Sequence, residues 1–324
     1  MVNELTEKLG THCVGRYLID MPDDVLTFGR IEIQGVSIET TLLSQHEYAK
    51  AMETHEATLK STKSVLGYQF LYEYGEGRPN GTRYFVHLKN ETDPSDASRV
   101  IEAYKWDSGY QIKLQIEAVD FTKSKFKDKP SIKQMIIKND VLEKSHVIFD
   151  LLARVRGRPE NDIPTGPGVC LRGGFLPGNA GDQENVTMQF VLRDSPDVSF
   201  DLQTDSDTQE STTLLERGSS INEVIKRNDG RTIRKGQVNL TGMQAEEWLT
   251  AGTTTLDIPG HHLTLEANSK IGSPKTPLVT LDMNTGSWNN VQHGQIKKAS
   301  LNEDEVIALW DVVSRTLRPR PNGF

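Results

Sequence analysis

Residues 13–22 read CVGRYLIDMP, and a second stretch that opens on cysteine, CLRGGFLPG, occupies residues 170–178, with its cysteine 157 positions further on. Three other pairs of segments recur in the same order, at offsets of 161 to 163 residues. They are VSIET at Val36 and VSFDL at Val198, Ser44-x-x-Glu47 and Asp207-x-x-Glu210, and FDLLAR at Phe149 and WDVVSR at Trp310. Each pair is weak alone, but four pairs in register favour an internal duplication. The sequence therefore predicts two related lobes, at residues 1–160 and 161–324.

Length, composition and charge restrict what this chain can be. Its 324 residues suit two domains of about 150 residues each, and GRPENDIPTGPG at 157–168 has the glycine, proline and charge of a linker. The net charge of −8 argues against nucleic acid as a partner, because phosphate binding needs a basic face. Since no apolar run approaches the roughly 18 residues of a membrane span, we expect no stable membrane insertion.

The termini and cysteines bear on the compartment. The N-terminal stretch MVNELTEKLGTH has neither a basic start nor an apolar core, so the chain is either cytosolic or a mature exported form. Its two cysteines, Cys13 and Cys170, hold corresponding places in the two halves, and a pseudo-twofold axis would bring them together. A bridge would need an oxidising compartment and could stabilise the fold by roughly 4–5 kcal/mol. Two buried free thiols are the alternative.

The periodicity of apolar residues predicts the order of elements. Alternation indicates strands within 13–43 and at 110–116, the runs 66–74 and 82–88 suit a hairpin, and helices are expected from Ser44 to about Lys63 and from about Ser131 to Val155. In the second half we expect strands at 186–193, 197–203, 231–240, 262–268 and 278–283, a helix from about Thr208 to near Gly218, and a closing helix at about 301–317 capped by Ser300-x-x-Glu303. The predicted class is α+β, with a mostly antiparallel sheet and helices in each lobe.

No motif in the sequence predicts catalysis or metal binding. There is no G-x-S-x-G elbow, H-E-x-x-H, C-x-x-C or phosphate loop. The acids Asp205, Asp207 and Glu210 lack the glycine and terminal glutamate of a calcium loop, and suit a helix N-terminus better. The adjacent His261 and His262 would point to opposite faces of a strand. Arginines 315, 318 and 320 could bind phosphate, but cations at a helix end favour a dipole role. We expect no catalytic residue, metal or cofactor.

Three stretches carry a family resemblance: CVGRYLIDMP at 13–22, IPTGPGVCLRGGF at 163–175 and EDEVIALWDVVSRTLRPRPNGF at 303–324. They resemble immunity proteins that protect bacteria from class-4 lipase (phospholipase) effectors of the type VI secretion system. TGMQAEEWL at 241–249 is similar to a further family segment, more loosely. The first and last stretches are the most specific, and together the segments extend over residues 13–324.

The resemblance implies a two-domain, non-enzymatic protein of the periplasm, with an N-terminal immunity-protein lobe at 1–160 and a C-terminal one at 161–324. It implies tight binding of a cognate lipase effector, which would prevent lid opening or substrate entry. It also implies that Met1 begins a trimmed mature form, and it supports Cys13 and Cys170 as a structural pair. A cell-envelope hydrolase and a ligand-binding module of unknown substrate are the competing hypotheses.

Contact residues are expected where the two halves differ, because recognition usually lies in loops on a shared scaffold. The candidate loops are 75–81, 90–96, 178–185, 205–210 and 284–293. Trp288 is the strongest candidate anchor, since an aromatic side chain in a polar loop is costly unless it binds something; packing over its own domain core is the alternative. Partner-binding candidates are therefore Trp288, Asn289, Arg78, Asp205, Asp207 and Glu210.

Overall fold

The computed structural model describes residues 2–77, 81–227, 229–287 and 296–324. The helices in these ranges are α1 (Val2–Glu7), α2 (Gln45–Ser61), α3 (Pro130–Lys133), α4 (Val141–Arg154), α5 (Gly218–Arg227) and α6 (Glu303–Ser314). The strands are β1 (Leu9–Val14), β2 (Tyr17–Pro22), β3 (Val25–Ile33), β4 (Val36–Leu42), β5 (Leu71–Gly77), β6 (Thr82–His87), β7 (Ser98–Asp107), β8 (Tyr110–Val119), β9 (Arg156–Gly157), β10 (Gly168–Leu171), β11 (Gly174–Pro177), β12 (Glu184–Leu192), β13 (Ser199–Asp205), β14 (Arg231–Leu240), β15 (Met243–Thr253), β16 (Pro259–Ala267), β17 (Leu278–Thr285) and β18 (Arg318–Pro319). Within these ranges, no helix has both the length and the apolar character needed to cross a bilayer.

The chain forms two compact units. Unit 1 comprises Met1–Ile31, Glu160–Arg172 and Pro177–Phe324, and unit 2 comprises Glu32–Pro159 and Gly173–Leu176. In unit 1 the sheet order is β14-β15-β16-β17-β13-β12-β3, with antiparallel pairing from β14 through to β12. In unit 2 the order is β4-β8-β7-β6-β5, also antiparallel. Two α+β lobes of mostly antiparallel sheet are thereby confirmed.

Two helices cover the sheet of unit 2 with apolar residues that lie on one face of each helix. In α2, Tyr48, Met52 and Leu59 are buried and form a cluster with Phe85 and Tyr104. The helix begins as the sequence predicts, because the Ser44 hydroxyl accepts from the Glu47 amide while the Glu47 carboxylate accepts from the Ser44 amide. Helix α4 lies on β7 and β8 and buries its own stripe, Ile148, Leu151 and Leu152.

The predicted disulfide is present and lies inside unit 1. Cys13 lies in β1, one residue before its end, Cys170 lies in β10, and both side chains are buried. Next to the bond, the Gly15 and Cys170 backbones exchange two hydrogen bonds, of 3.0 and 2.7 Å. The bridge therefore holds the N-terminal hairpin β1–β2 against residues 168–171 of the same unit. It crosses the two halves of the sequence without leaving one compact unit.

A single buried cation, Arg16, connects three chain segments beside this disulfide. Only 3% exposed, its guanidinium donates to both carboxylate oxygens of Glu184 at 2.8 Å, to the Gly178 and Asn179 carbonyls, and to the carbonyl of Gly323. The preceding residue, Gly15, has a φ of +57° and lies where a side chain would collide with Thr204, so the turn that aims Arg16 inward requires glycine.

Replacing Arg16 with methionine should destabilise the protein by about 3 kcal/mol or more, because Glu184 and three carbonyls would lose a buried partner. The matched control is Arg193→Met, which removes an exposed ion pair with Asp24 and should cost about 1 kcal/mol or less. Urea unfolding followed by circular dichroism measures both. Equal losses for the two variants would contradict the role assigned to Arg16.

Three predicted helix positions were wrong, because contacts between residues far apart in sequence override the local pattern. The single helix over 131–155 is divided, since residues 138–140 pair with the end of β8 through Phe121, Val119 and the Asp120–Asn139 bridge. Helix α6 is capped by Asn302 with Glu305, because Ser300 instead donates to the buried Asp197. The helix expected at 208–218 is absent there, and α5 begins at Gly218, where the prediction ended it.

Candidate partner-binding surface

A groove of about 680 Å³ lies between α5 and the sheet of unit 1, and is here called the α5 groove. One wall is the apolar stripe of the helix, Ile221, Val224 and Ile225, at the three- and four-residue spacing of one helical face. None of the residues of α5 is fully buried, and Val224 is 55% exposed. A helix that places aliphatic side chains in an open groove presents a surface suited to an apolar partner.

The floor of the α5 groove is rigid. Trp248 of β15 is buried beneath it, donates its indole N–H to the Thr232 hydroxyl at 3.0 Å, and carries the Lys235 ammonium 3.9 Å above its ring. The neighbouring lining comes from the ends of β15 and β16, at Thr250–Thr255 and Gly260–His262. Strand backbone and a fixed indole give the groove a preformed shape, which lowers the entropic cost of binding.

Two histidines, His261 and His262, line this groove. His261 Nδ1 lies 2.8 Å from the Thr285 hydroxyl, and burial lowers its pKa despite nearby Glu303. His262 contacts Asn284 at 2.8 Å and Thr264 at 2.9 Å. Both rings are thus engaged by neighbours on the sheet. In the described part of the chain, no group of three or more His, Cys, Asp or Glu is placed to hold a metal ion.

The rim of the groove meets one of the loops predicted to bind a partner. Asn284, Thr285 and Ser287, from the candidate loop 284–293, line the α5 groove. Trp288 and Asn289 follow directly in sequence but lie outside the described residues, and so does Arg78. These three stay predictions.

The acidic candidates lie in a loop that leads into the same groove. The Asp205 carboxylate accepts from the amides of Asp207 and Thr208, and the Asp207 carboxylate accepts from the Gln183 amide at 2.8 Å. The Glu210 amide donates to the Ser269 carbonyl at 2.7 Å. These contacts form a compact turn where a helix was predicted. Further along this loop, Leu214 and Arg217 line the α5 groove.

The helix that forms the groove wall was missed by sequence reasoning. The signal was the Ile221-x-x-Val224-Ile225 spacing, bounded by polar residues, which is typical of a one-sided helix. Assigning the preceding acids to a helix start placed the helix ten residues too early.

The C-terminal arginines serve the scaffold. Arg315 donates to Glu247 at 2.9 Å, Arg318 to Asp20 at 3.1 Å, and Arg320 to the carbonyls of Pro164, Gly166 and Gly168. The buried Glu247 also accepts from Arg234 at 2.8 Å and from the Trp310 indole at 3.1 Å. Neither phosphate binding nor the helix dipole accounts for these arginines, because each has protein partners elsewhere in unit 1.

A cluster of titratable residues in unit 2 looks at first like catalytic machinery. Glu102 of β7, 5% exposed, lies 2.6 Å from His55, 3.0 Å from Lys113 and 3.0 Å from the Tyr104 hydroxyl, with His87 at 3.6 Å. Burial raises the pKa of Glu102, but the hydrogen bond with His55, the nearby His87 ring and the Lys113 charge lower it more, to well below its usual range. A carboxylate whose oxygens already have hydrogen-bond and ion-pair partners stabilises the sheet and cannot readily accept a proton.

Protonation of Glu102 should therefore weaken unit 2. Its folded pKa is depressed, so its contribution is present above about pH 4.5 and is lost as pH falls from there towards the folded pKa. Glu102→Gln should cost about 3 kcal/mol at neutral pH and flatten this acid dependence. Amide exchange in β6–β8 measures it, with Glu117→Gln, which removes an exposed pair with Lys89, as control. An unchanged acid dependence in Glu102→Gln would refute the assignment.

Comparison with protein families gives two matches that together span nearly the whole chain. Residues 10–158 match the N-terminal domain of Tle cognate immunity protein 4, and residues 162–322 match its C-terminal domain. The chain belongs to this immunity protein family. None of the curated proteins compared with it matches.

Three solved structures share the fold of this chain over nearly its full length. The apo immunity protein TplEi of the type VI secretion system of Pseudomonas aeruginosa is 19% identical, with a TM-score of 0.72 over 97% of this chain and 98% of that one. The crystal structure of the Tle4–Tli4 complex gives 19% identity and a TM-score of 0.72, covering 98% and 99%. TplEi complexed with the "L" peptide is 20% identical, with a TM-score of 0.68 over 98% of this chain and 99% of that one.

Proposed function

We propose that this protein is a periplasmic immunity protein that binds a cognate type VI lipase effector and blocks its activity, with no catalytic activity of its own. The observation that carries the proposal is the match of residues 10–158 and 162–322 to the two domains of one immunity family. The buried Cys13–Cys170 disulfide supports a periplasmic location, because such bonds persist in oxidising compartments. We also propose that residues 1–160 and 161–324 are two related lobes that arose by internal duplication.

Inhibition would follow from binding one conformation of the lipase more tightly than the other. A lipase must expose an apolar cleft to reach lipid, so a partner that prefers the closed state shifts the population away from activity. A shift from mostly open to mostly closed requires about a 10⁴-fold preference. Rigid contact surfaces, such as the floor formed by Trp248, help because little freedom is lost on binding.

We propose the α5 groove and its rim as the effector contact in unit 1. The groove offers exposed aliphatic side chains over a fixed floor, which is the setting of interface hot spots. Asp205, Asp207 and Glu210 begin the loop that supplies Leu214 and Arg217 to the same groove. Trp288 and Asn289 follow the rim residue Ser287, and Arg78 is the proposed contact in unit 2.

The function is tested by mixing the oxidised protein with the lipase encoded beside it. A stoichiometric complex should form, and hydrolysis of phospholipid vesicles should stop. A small water-soluble ester separates two mechanisms: its hydrolysis also falls if the lid is held closed, and continues if only access to the bilayer is blocked. No binding at micromolar concentration would overturn the proposed function.

Within that complex, Val224→Glu should weaken effector binding about tenfold or more, because it places a charge in the apolar wall of the α5 groove. Val312→Glu is the matched control: Val312 is an exposed valine on α6, also in unit 1, and does not line this groove. Isothermal titration calorimetry measures both. Equal affinities for the two variants would remove the α5 groove from the interface while leaving the function intact.

A further inference from the structure

One segment of unit 2 has a charge opposite to that of the whole chain. Residues 121–144, here called the lysine-rich segment, contain seven lysines against three acids, Asp128, Asp140 and Glu143, a formal net charge of +4. The chain as a whole carries −8. A local excess of lysine in an acidic protein is an electrostatic footprint for an anionic surface.

The same segment exposes a run of large apolar side chains. Ile136 is fully exposed, Ile137 is 55% exposed, Met135 is exposed beside them, and Leu142 at the start of α4 is 70% exposed. Met135, Ile136 and Ile137 belong to the stretch between α3 and α4 that the divided helix leaves open. Consecutive exposed aliphatic residues are unfavourable in water unless they meet an apolar phase.

Backbone pairing fixes where this apolar tip lies. Phe121 donates to the Lys138 carbonyl at 2.7 Å, and Asp140 donates to the Val119 carbonyl at 3.1 Å, so both ends of the segment are held at the end of β8. Asn139 forms a bridge with Asp120 between these two bonds. The intervening residues are therefore a loop fixed at its base, with Met135–Ile137 exposed.

The lysines around this tip remain available to an external anion. Lys123, Lys127 and Lys138 are exposed and form no ion pair with any described residue. Lys129 and Lys125 are exposed; their ammonium groups lie 4.2 and 5.0 Å from the centre of the Phe126 ring, and that of Lys125 also lies 4.3 Å from the Tyr68 ring. The Lys133 ammonium lies 3.4 Å from the Asp128 carboxylate, but both side chains are well exposed, so this ion pair is weak.

We propose that the lysine-rich segment binds the surface of an anionic phospholipid bilayer, peripherally. Met135, Ile136 and Ile137 enter the interfacial region, and the surrounding lysines contact lipid phosphates. Lysine supports a lipid surface over a protein partner, because lysine is depleted in protein interfaces, where arginine and aromatic residues dominate. This binding is independent of the α5 groove and of effector recognition, and it would place the inhibitor on the same kind of surface that a phospholipase attacks.

The test uses the full, oxidised chain and vesicle co-sedimentation. Vesicles containing phosphatidylglycerol should bind the protein, binding should fall as salt is raised, and vesicles of phosphatidylcholine alone should bind far less. Lys123→Gln with Lys127→Gln should weaken binding by roughly fivefold per lysine. Ile136→Glu should weaken it by about tenfold or more, because a carboxylate would replace the most exposed apolar residue at the tip.

Matched controls are available in the same molecule. Leu42→Glu changes an exposed leucine opposite Tyr110, at the other end of β8, and Lys50→Gln with Lys226→Gln removes two exposed lysines elsewhere. Both should bind anionic vesicles like the unaltered protein, and all variants should keep the same thermal midpoint. Equal binding to neutral vesicles, or full binding by Ile136→Glu and the double lysine variant, would overturn the proposal. The proposal would also be overturned if the unaltered protein bound no vesicles and the variants instead lost affinity for the effector.

Discussion

The buried guanidinium of Arg16 is the contact on which unit 1 depends. It joins the N-terminal hairpin to Glu184 at the start of β12 and to the carbonyl of Gly323, the next-to-last residue. Arg320 does the complementary work from the other end, donating to three carbonyls between Pro164 and Gly168. With the disulfide between them, these contacts assemble one unit from three separate stretches of chain.

Two buried carboxylates, one in each unit, have their partners inside the same unit. Glu247 in unit 1 and Glu102 in unit 2 each have three or more partners, and both hold strands and helices in place. Because those groups are committed to the scaffold, the features left to meet another molecule are open ones. Two such features among the described residues are the aliphatic groove beside α5 and the basic, aliphatic segment of residues 121–144. A family that neutralises toxins by binding needs this combination of stiff interior and exposed contact surface.

Local sequence signals predicted what local contacts decide. The Ser44–Glu47 box begins α2 as expected, and the cysteines, read from their matching places in the repeat, form the bond. Three of the four echoed pairs also fall in like elements: the hairpins at Cys13 and Cys170, strands β4 and β13, and helices α4 and α6. The fourth fails, because Asp207 accepts from the amide of Gln183, a residue that lies 24 positions earlier and outside any local pattern. The predicted cap of α6 fails in the same way, because Ser300 donates to Asp197, which lies 103 positions earlier. The groove escaped prediction for a related reason, since its wall comes from α5 and its floor from β15 and β16, which are separate in sequence.

The segmented construction of unit 1 has a consequence for the order of folding. All of Glu32–Pro159 lies between the first and second segments of unit 1, so a chain emerging from its N-terminus completes most of unit 2 first. Residues 1–31 depend on partners far along the chain, because Arg16 donates to Glu184 and to the carbonyl of Gly323. Long sequence separation slows such closure. We therefore expect the contacts that join Met1–Ile31 to Pro177–Phe324 to form later than the local strand pairs of unit 2.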